Sequence, residues 1–164
     1  MINSKLSLFG RYNYSPSSID QRGPYFGTPQ VLSDTELTSF SIQTLTIGLT
    51  EIINQDVSNE IRANYSNGRV GNKFGLDNFG GAMPLPDPLL SPPGFSSANG
   101  LFAFEIIGAG EFVKGKLSTD EQRQVNLVDN LSVTRGDHQL KFGVDFRWLS
   151  PFANRFAYRQ FVEF

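Results

Sequence analysis

The segment Leu140-Lys141-Phe142-Gly143-Val144-Asp145-Phe146-Arg147-Trp148 decides the fold class of this chain. Apolar and polar residues alternate through it without a break, so five apolar side chains fall on one face of an extended strand. The opposite face carries Lys141, Asp145 and Arg147, three charges that an apolar environment does not accept without partners. The pattern therefore predicts a β-strand with one apolar face and one wet face.

The residues before this strand predict its hairpin partner. They also alternate, with apolar positions at Val125, Leu127, Leu131 and Val133, and Asp129 interrupts this apolar face. Arg135-Gly136-Asp137 supplies the residues of a tight turn between the two strands. The same period marks three more strands, in Leu6–Tyr14, residues 36–53 and Ile61–Tyr65.

One of these strands is expected to contain a bulge or bend. Phe40 and Ile42 occupy even positions, whereas the apolar residues that follow occupy odd ones, namely Leu45, Ile47 and Leu49. A shift of one residue moves every later side chain to the other face of a strand. We therefore expect a break in phase near Gln43.

The connections between strands alternate in length. Residues 15–35 and 71–119 form long links, 54–57 and 135–137 form short ones, and Ser150-Pro151 is expected to open another irregular stretch. Outer-membrane barrels have short periplasmic turns and long external loops, and their strands exceed the soluble norm. The sequence therefore predicts an all-β fold, an antiparallel up-and-down transmembrane β-barrel segment with long external loops.

Composition narrows the chemistry of the chain. It contains no Cys and one His, so it cannot form disulfides, thiolate sites or multi-histidine metal sites. The net charge of -2 gives no reason to expect nucleic acid as a partner. No carboxylate pair suits general acid–base work. We expect no cofactor, no metal and no enzymatic activity.

One stretch has the spacing of a phosphate-binding loop. It runs from Gly110 to Lys116, but Leu117 stands where the magnesium-binding Ser or Thr belongs, and no helical pattern follows. We interpret this stretch as a glycine-rich loop.

Two stretches carry a resemblance to a known family. Ser7-Leu8-Phe9-Gly10-Arg11-Tyr12-Asn13-Tyr14-Ser15-Pro16 resembles a barrel strand of the Oar-like subfamily of TonB-dependent outer-membrane receptors. Residues 123–147 resemble it more strongly, above all in Asp129-Asn130-Leu131-Ser132 and Lys141-Phe142-Gly143-Val144-Asp145-Phe146-Arg147. The resemblance covers nearly the whole chain and is least specific in the proline-rich loop.

The resemblance implies that residues 1–164 are part of a TonB-dependent receptor-like β-barrel domain, here without plug or signal peptide. Five strands, and a candidate sixth in Phe156–Phe164, fall short of the ~22 that such transporters use, so we expect an incomplete barrel. The implied partners are outer-membrane lipid, the remaining barrel and plug, TonB through segments outside this chain, and an unknown small ligand.

Two sets of residues are candidates for contact with these partners. Loops on rigid scaffolds carry function, so the external loop residues expected to contact the ligand are Pro84, Pro86, Pro88, Pro92 and Pro93. The residues expected to face lipid are Leu140, Phe142, Val144, Phe146 and Trp148. The alternative is a soluble antiparallel β ligand-binding module, whose apolar face would turn into a core.

Overall fold

The computed structural model describes residues 4–23 and 31–164 of the chain. They form seven strands: β1 (Leu6–Arg22), β2 (Asp34–Ile52), β3 (Val57–Leu76), β4 (Gly100–Ile106), β5 (Gly110–Arg135), β6 (His138–Arg155) and β7 (Tyr158–Glu163). A 3₁₀ turn (Phe79–Gly81) and a four-residue helix, α1 (Asp87–Leu90), lie between β3 and β4. Within this described part, no helix combines the length and the apolar character needed to span a membrane.

All seven strands belong to one open sheet. Its order is β1-β2-β3-β5-β4-β7, and β6 pairs with β5. The predicted all-β fold with an incomplete barrel is therefore confirmed. The strict up-and-down order fails at β4, which pairs antiparallel with β5 and parallel with β7.

The chain folds as two compact units. The first lies within residues 1–15, 41–68 and 122–151, and the second within residues 16–40, 69–121 and 152–164.

The first unit contains the two short turns. The Ile53 N–H donates to Val57 O at 3.0 Å, which closes the turn between β2 and β3. The second turn lies between Arg135 and His138, the residues that end β5 and begin β6. Both turns lie within a residue of the positions that the sequence predicts, where Gly and Asp or Asn mark them.

Apolar side chains of the first unit form an exposed band. The five alternating apolar residues of β6, from Leu140 to Trp148, are each more than half exposed. Further exposed members are Leu8, Tyr12, Tyr14, Leu45, Ile47, Ile61, Tyr65, Val125 and Leu127. So many exposed apolar side chains on alternate positions require an apolar surrounding rather than water.

Polar side chains between these positions contact one another across strands. Asn126 Nδ2 donates to Asp145 Oδ1 at 2.6 Å, and Asn64 Nδ2 donates to Thr46 Oγ1 at 2.8 Å. A lipid-covered surface does not accept such groups, whereas a wet lumen does. We therefore assign the membrane-spanning segments to the strands of the first unit.

The second unit is built around the β4–β5 hairpin, which is buried on both faces. One face carries Leu101, Ala103 and Val113, which cluster with Phe74 and with the partly buried Leu117 and Phe156. The other face carries Phe102, which is 3% exposed, and the stacked rings of Phe104 and Phe112, 5.3 Å apart. Residues of the long loop cover this second face.

Several predicted boundaries are wrong. β1 continues from Tyr14 to Arg22, and β6 continues through Ser150-Pro151 to Arg155. The predicted loop 71–119 contains the end of β3, all of β4 and the start of β5, so the irregular link is only 77–99. Residues 110–116 form part of β5 rather than a glycine-rich loop.

The expected break near Gln43 is also wrong. β2 is one strand from Asp34 to Ile52. The hydrogen bonds of Gly23 N–H to Asp34 O and of Ile52 N–H to Lys5 O hold both of its ends in the same register against β1. Ile42 therefore lies on the polar face beside Thr44 and Thr46, and the strand needs no bulge to place it there.

Candidate functional site

The long loop 77–99 has fixed local structure despite its many prolines. Pro86 is the N-cap residue of α1 and Pro88 lies in its first turn, where proline's missing N–H and fixed φ fit a helix start. The helix ends at Ser91, whose N–H donates to Asp87 O at 2.9 Å. Ser91 Oγ lies 2.8 Å from the carbonyl oxygens of both Asp87 and Phe95.

Lys114 of β5 fastens this loop to the hairpin. Its Nζ donates to Leu85 O at 2.7 Å and lies 2.8 Å from Asp87 Oδ1. The other oxygen of Asp87 accepts from the N–H and the hydroxyl of Ser97, at 2.8 and 2.9 Å. One carboxylate therefore joins α1, the end of the loop and β5.

The charge balance at this carboxylate follows from its donors. The hydrogen bond from Lys114, followed by the one from Ser97 N–H, lowers the pKa of Asp87 from 3.8 to about 2. Asp87 is thus charged at neutral pH, and the pair with Lys114 is fully formed there.

A second carboxylate lies at the loop end of β2, outside the membrane-spanning segments. Asp34 is only 2% exposed, and its Oδ2 accepts from Val113 N–H at 2.9 Å. Burial raises the pKa of Asp34 to about 7, and the hydrogen bond from Val113 opposes this shift. Asp34 therefore links β2 to the hairpin through one side chain.

An ion pair closes the loop end of β1. Arg22 forms a two-pronged pair with Asp77, donates to Leu32 O at 2.8 Å, and lies 4.5 Å from the centre of the Phe79 ring. Paired guanidinium–carboxylate contacts hold both planes in one orientation. Arg22 therefore fixes the beginning of the long loop against β1.

Two apolar cavities lie between the loop and the hairpin. The Met83 cavity has a volume of about 300 Å³ and is lined chiefly by Val31, Leu76, Met83, Pro84, Leu85 and Phe112. The Leu89 cavity has a volume of about 190 Å³ and is lined chiefly by Leu85, Leu89, Leu90, Phe102, Phe104 and Val162. Small-molecule sites begin at ~300 Å³, so of these two apolar cavities the Met83 cavity is the larger and reaches the size of a ligand site.

The five predicted loop prolines are not gathered at this cavity. Only Pro84 lines it, whereas Pro86 and Pro88 shape α1 and Pro92 O accepts from Phe95 N–H in the turn that follows. Pro93 is exposed. Contact between these prolines and a ligand stays a prediction, and the side chains best placed for it are Met83, which is 89% exposed, and Leu89.

Sequence reasoning missed the residues that hold this site together. Lys114 and Asp87 are 27 positions apart, and no local pattern marks them as partners. The interpretation of Gly110 to Lys116 as a glycine-rich loop gave no sign that Lys114 pairs with Asp87. Within the part of the chain that the structure describes, no three acidic or histidine side chains could hold a metal ion.

Comparison with known proteins agrees with this architecture. A family model described as "Outer membrane beta barrel domain" matches residues 1–163, which is nearly the entire chain. The searches of curated proteins and of solved structures gave no match. The match accounts for the exposed apolar band, because the surrounding of such a barrel is lipid. The chain belongs to the outer membrane β-barrel domain family, and its location is the bacterial outer membrane.

Proposed function

We propose that this chain forms part of the wall and the external loops of a TonB-dependent receptor that takes up a small ligand. We take the TonB-dependent receptor class from the resemblance of residues 7–16 and 123–147 to Oar-like receptors. The observation that carries the proposal is the braced loop 77–99, which borders an open apolar cavity of ligand size beside the β4–β5 hairpin. In this role the chain catalyses no reaction.

The open sheet supports a barrel larger than these seven strands. In the described sheet β1 pairs only with β2, and β6 pairs only with β5. The described strands therefore do not close into a ring. Unpaired N–H and C=O groups at a strand edge are not tolerated in the bilayer core. Further strands must therefore cover these edges in the membrane, as the large barrels of TonB-dependent receptors would require.

The Met83 cavity indicates the kind of ligand that the loops would receive. Its walls are mostly apolar, with Ser33 and Asp77 as the polar lining residues. Such a site favours a ligand with an apolar portion and a few hydrogen-bonding groups. The soluble alternative is not retained, because the family places the chain in the outer membrane.

TonB dependence can be tested without knowing the ligand. The full reading frame that contains these residues is expressed in the outer membrane and extracted in detergent. The immobilised periplasmic domain of TonB should then retain it. A porin extracted in the same way is the matched control and should pass through. Failure of the intact protein to bind TonB above the porin background would refute the proposal.

A further inference from the structure

A polar groove separate from the two apolar cavities lies in the second unit. It has a volume of about 380 Å³ and is bordered by β2, β3, β5 and the end of the long loop. We call it the lysine groove, after its two cationic residues. The polar side chains that line it include Lys73, Lys116, Ser39, Ser97, Ser118 and Thr119.

The two lysines of this groove are not committed elsewhere. The side-chain ammonium groups of Lys73 and Lys116 make no hydrogen bond or ion pair with any described residue, and the same holds for the hydroxyl of Thr119. Lys114, two residues from Lys116, is held by Asp87. The structure therefore separates a lysine that braces the fold from two that are available to a ligand.

No carboxylate lines the groove among the residues that the structure describes. This is notable because Asp and Glu outnumber Lys and Arg in the chain, 16 to 14. Two ammonium groups without a carboxylate make a local positive site that favours an anion. The hydroxyls of Ser39, Ser97 and Ser118 already donate, to Gly71 O, Asp87 and Asp120, so towards a ligand that carries hydroxyl groups they can act as acceptors.

We propose that the lysine groove binds a phosphate-bearing saccharide. Lysine ammonium groups bind phosphate as compact point charges with three donors each. Leu37, which is 44% exposed, and Ala98 supply apolar wall against which the carbon face of a sugar ring can pack. The volume falls within the usual range of small-molecule sites, ~300–1,000 Å³.

Such a ligand has two sources in the outer membrane. It can be the phosphorylated sugar headgroup of lipopolysaccharide or a free sugar phosphate outside the cell. Both present the same chemistry to Lys73 and Lys116. This proposal stands apart from TonB-dependent uptake, because a barrel with another role could bind the same group.

The first experiment needs no variant. Binding to the full-length protein is measured by titration calorimetry in detergent with glucose 6-phosphate, and separately with lipopolysaccharide vesicles. Glucose and phosphatidylcholine vesicles are the uncharged-ligand and plain-lipid controls. We expect binding of at least one phosphorylated probe and none of either control. Binding of glucose 6-phosphate identifies a free solute as a ligand, and binding of lipopolysaccharide alone identifies the lipid headgroup.

The second experiment assigns the binding to the groove. Lys73→Gln and Lys116→Gln should each weaken binding about ten-fold, as expected for loss of one charge-assisted hydrogen bond. Lys141→Gln removes a lysine of β6 that does not line the groove and should leave the affinity unchanged. Lys73→Arg and Lys116→Arg keep the charge and should retain most of the affinity.

Two results would overturn the proposal. One is that neither phosphorylated probe binds better than its control. The other is that the glutamine variants bind as tightly as the Lys141 variant. Folding of each variant is judged by its mobility in unheated gels. If a glutamine variant does not fold, the proposal is tested instead by the arginine variants and by the salt dependence of ligand binding to the unmodified protein. Binding that does not weaken from 50 to 500 mM salt, roughly a three-fold change in Debye length, also contradicts it.

Discussion

At the scale of single residues, Gly48 of β2 makes room for the ring of Phe9 on β1. A Cβ at Gly48 would lie 2.6 and 2.7 Å from two ring carbons of Phe9, and closer still to a third. The guanidinium of Arg62 lies 5.9 Å from the centre of the same ring. An aromatic ring over a strand glycine supplies the apolar cover that the glycine lacks.

This contact predicts a destabilising substitution. Gly48→Ala should lower the free energy of unfolding by about 1–3 kcal/mol, because the ring must move out of its position. The measurement is urea unfolding of the full-length protein in lipid vesicles. Gly10→Ala on β1 is the matched control, since a Cβ there meets nothing within 4 Å. Equal stability of the two variants would contradict the packing described here.

Asp87 predicts how the long loop responds to pH. Its pKa is lowered from 3.8 to about 2, so its stabilising contribution is complete above pH 4 and is lost as pH falls through 2. Hydrogen exchange of residues 82–98 should therefore be protected equally at pH 7 and pH 5. Protection should decrease between pH 4 and pH 2.

The variant Asp87→Asn isolates this carboxylate. It should expose the loop to exchange at pH 7 and remove the change between pH 4 and pH 2. Asp145→Asn on β6 is the control, because Asp145 contacts Asn126 and Arg147 rather than the loop. Unchanged protection of residues 82–98 in Asp87→Asn would show that Lys114 and Asp87 do not brace the loop.

At the scale of elements, a strand with one apolar face can be recognised from the sequence, whereas a strand that is apolar on both faces cannot. The β6 segment shows its strand directly, because five apolar residues alternate with charges. β4 reads Gly-Leu-Phe-Ala-Phe-Glu-Ile and is apolar on both faces, because both faces are buried in the β4–β5 hairpin. A short apolar run of this kind does not distinguish a strand from other buried segments.

The unexpected extensions of β1 and β6 have a related cause. Both contain a proline, at Pro16 and Pro151, which reads in a sequence as the end of a strand. Proline is tolerated where one side of a strand has no partner, and each of these strands pairs with one neighbour only in the described sheet. The loop end of β1 is also polar at most positions, so no alternation marks it.

The hairpin predicts a second destabilising substitution. Leu101→Ala should lower the free energy of unfolding by about 2–5 kcal/mol, because Leu101 is 6% exposed and packs with Phe74 and Val113. Ile107→Ala in the adjoining turn is the control, since Ile107 is 68% exposed. Thermal unfolding of both variants measures the difference. A Leu101 variant as stable as the control would contradict a hairpin buried on both faces.

At the scale of the whole molecule, the location in the outer membrane explains why the apolar band is exposed. Val144 is 68% exposed and lies at the centre of the five apolar residues of β6. Val144→Arg should lower the free energy of unfolding in vesicles by about 2–4 kcal/mol, as expected for an arginine near the bilayer midplane. Ser132→Arg, on the polar face of β5, should change it far less. Equal effects at both positions would contradict a lipid face on β6.

The fold class and the exposed apolar face of β6 were predictable because both follow from local alternation. The braced loop and the lysine groove were not, because each joins residues that are far apart in sequence. Lys73 and Lys116, for example, line one groove only because β3 and β5 both border it. The sequence gives their charge, and only the fold gives their proximity.

The predicted lipid face of β6 is tested most directly by the environment of each residue from Leu140 to Trp148. A nitroxide label is placed at each position in turn, in full-length protein reconstituted in bilayers, and its collision rates with oxygen and with a water-soluble nickel complex are measured. We predict that labels at 140, 142, 144, 146 and 148 meet oxygen, and that labels at 141, 143, 145 and 147 meet nickel. Equal exposure of both sets to nickel would show that this strand does not face lipid, and would contradict its place in the wall of a membrane barrel.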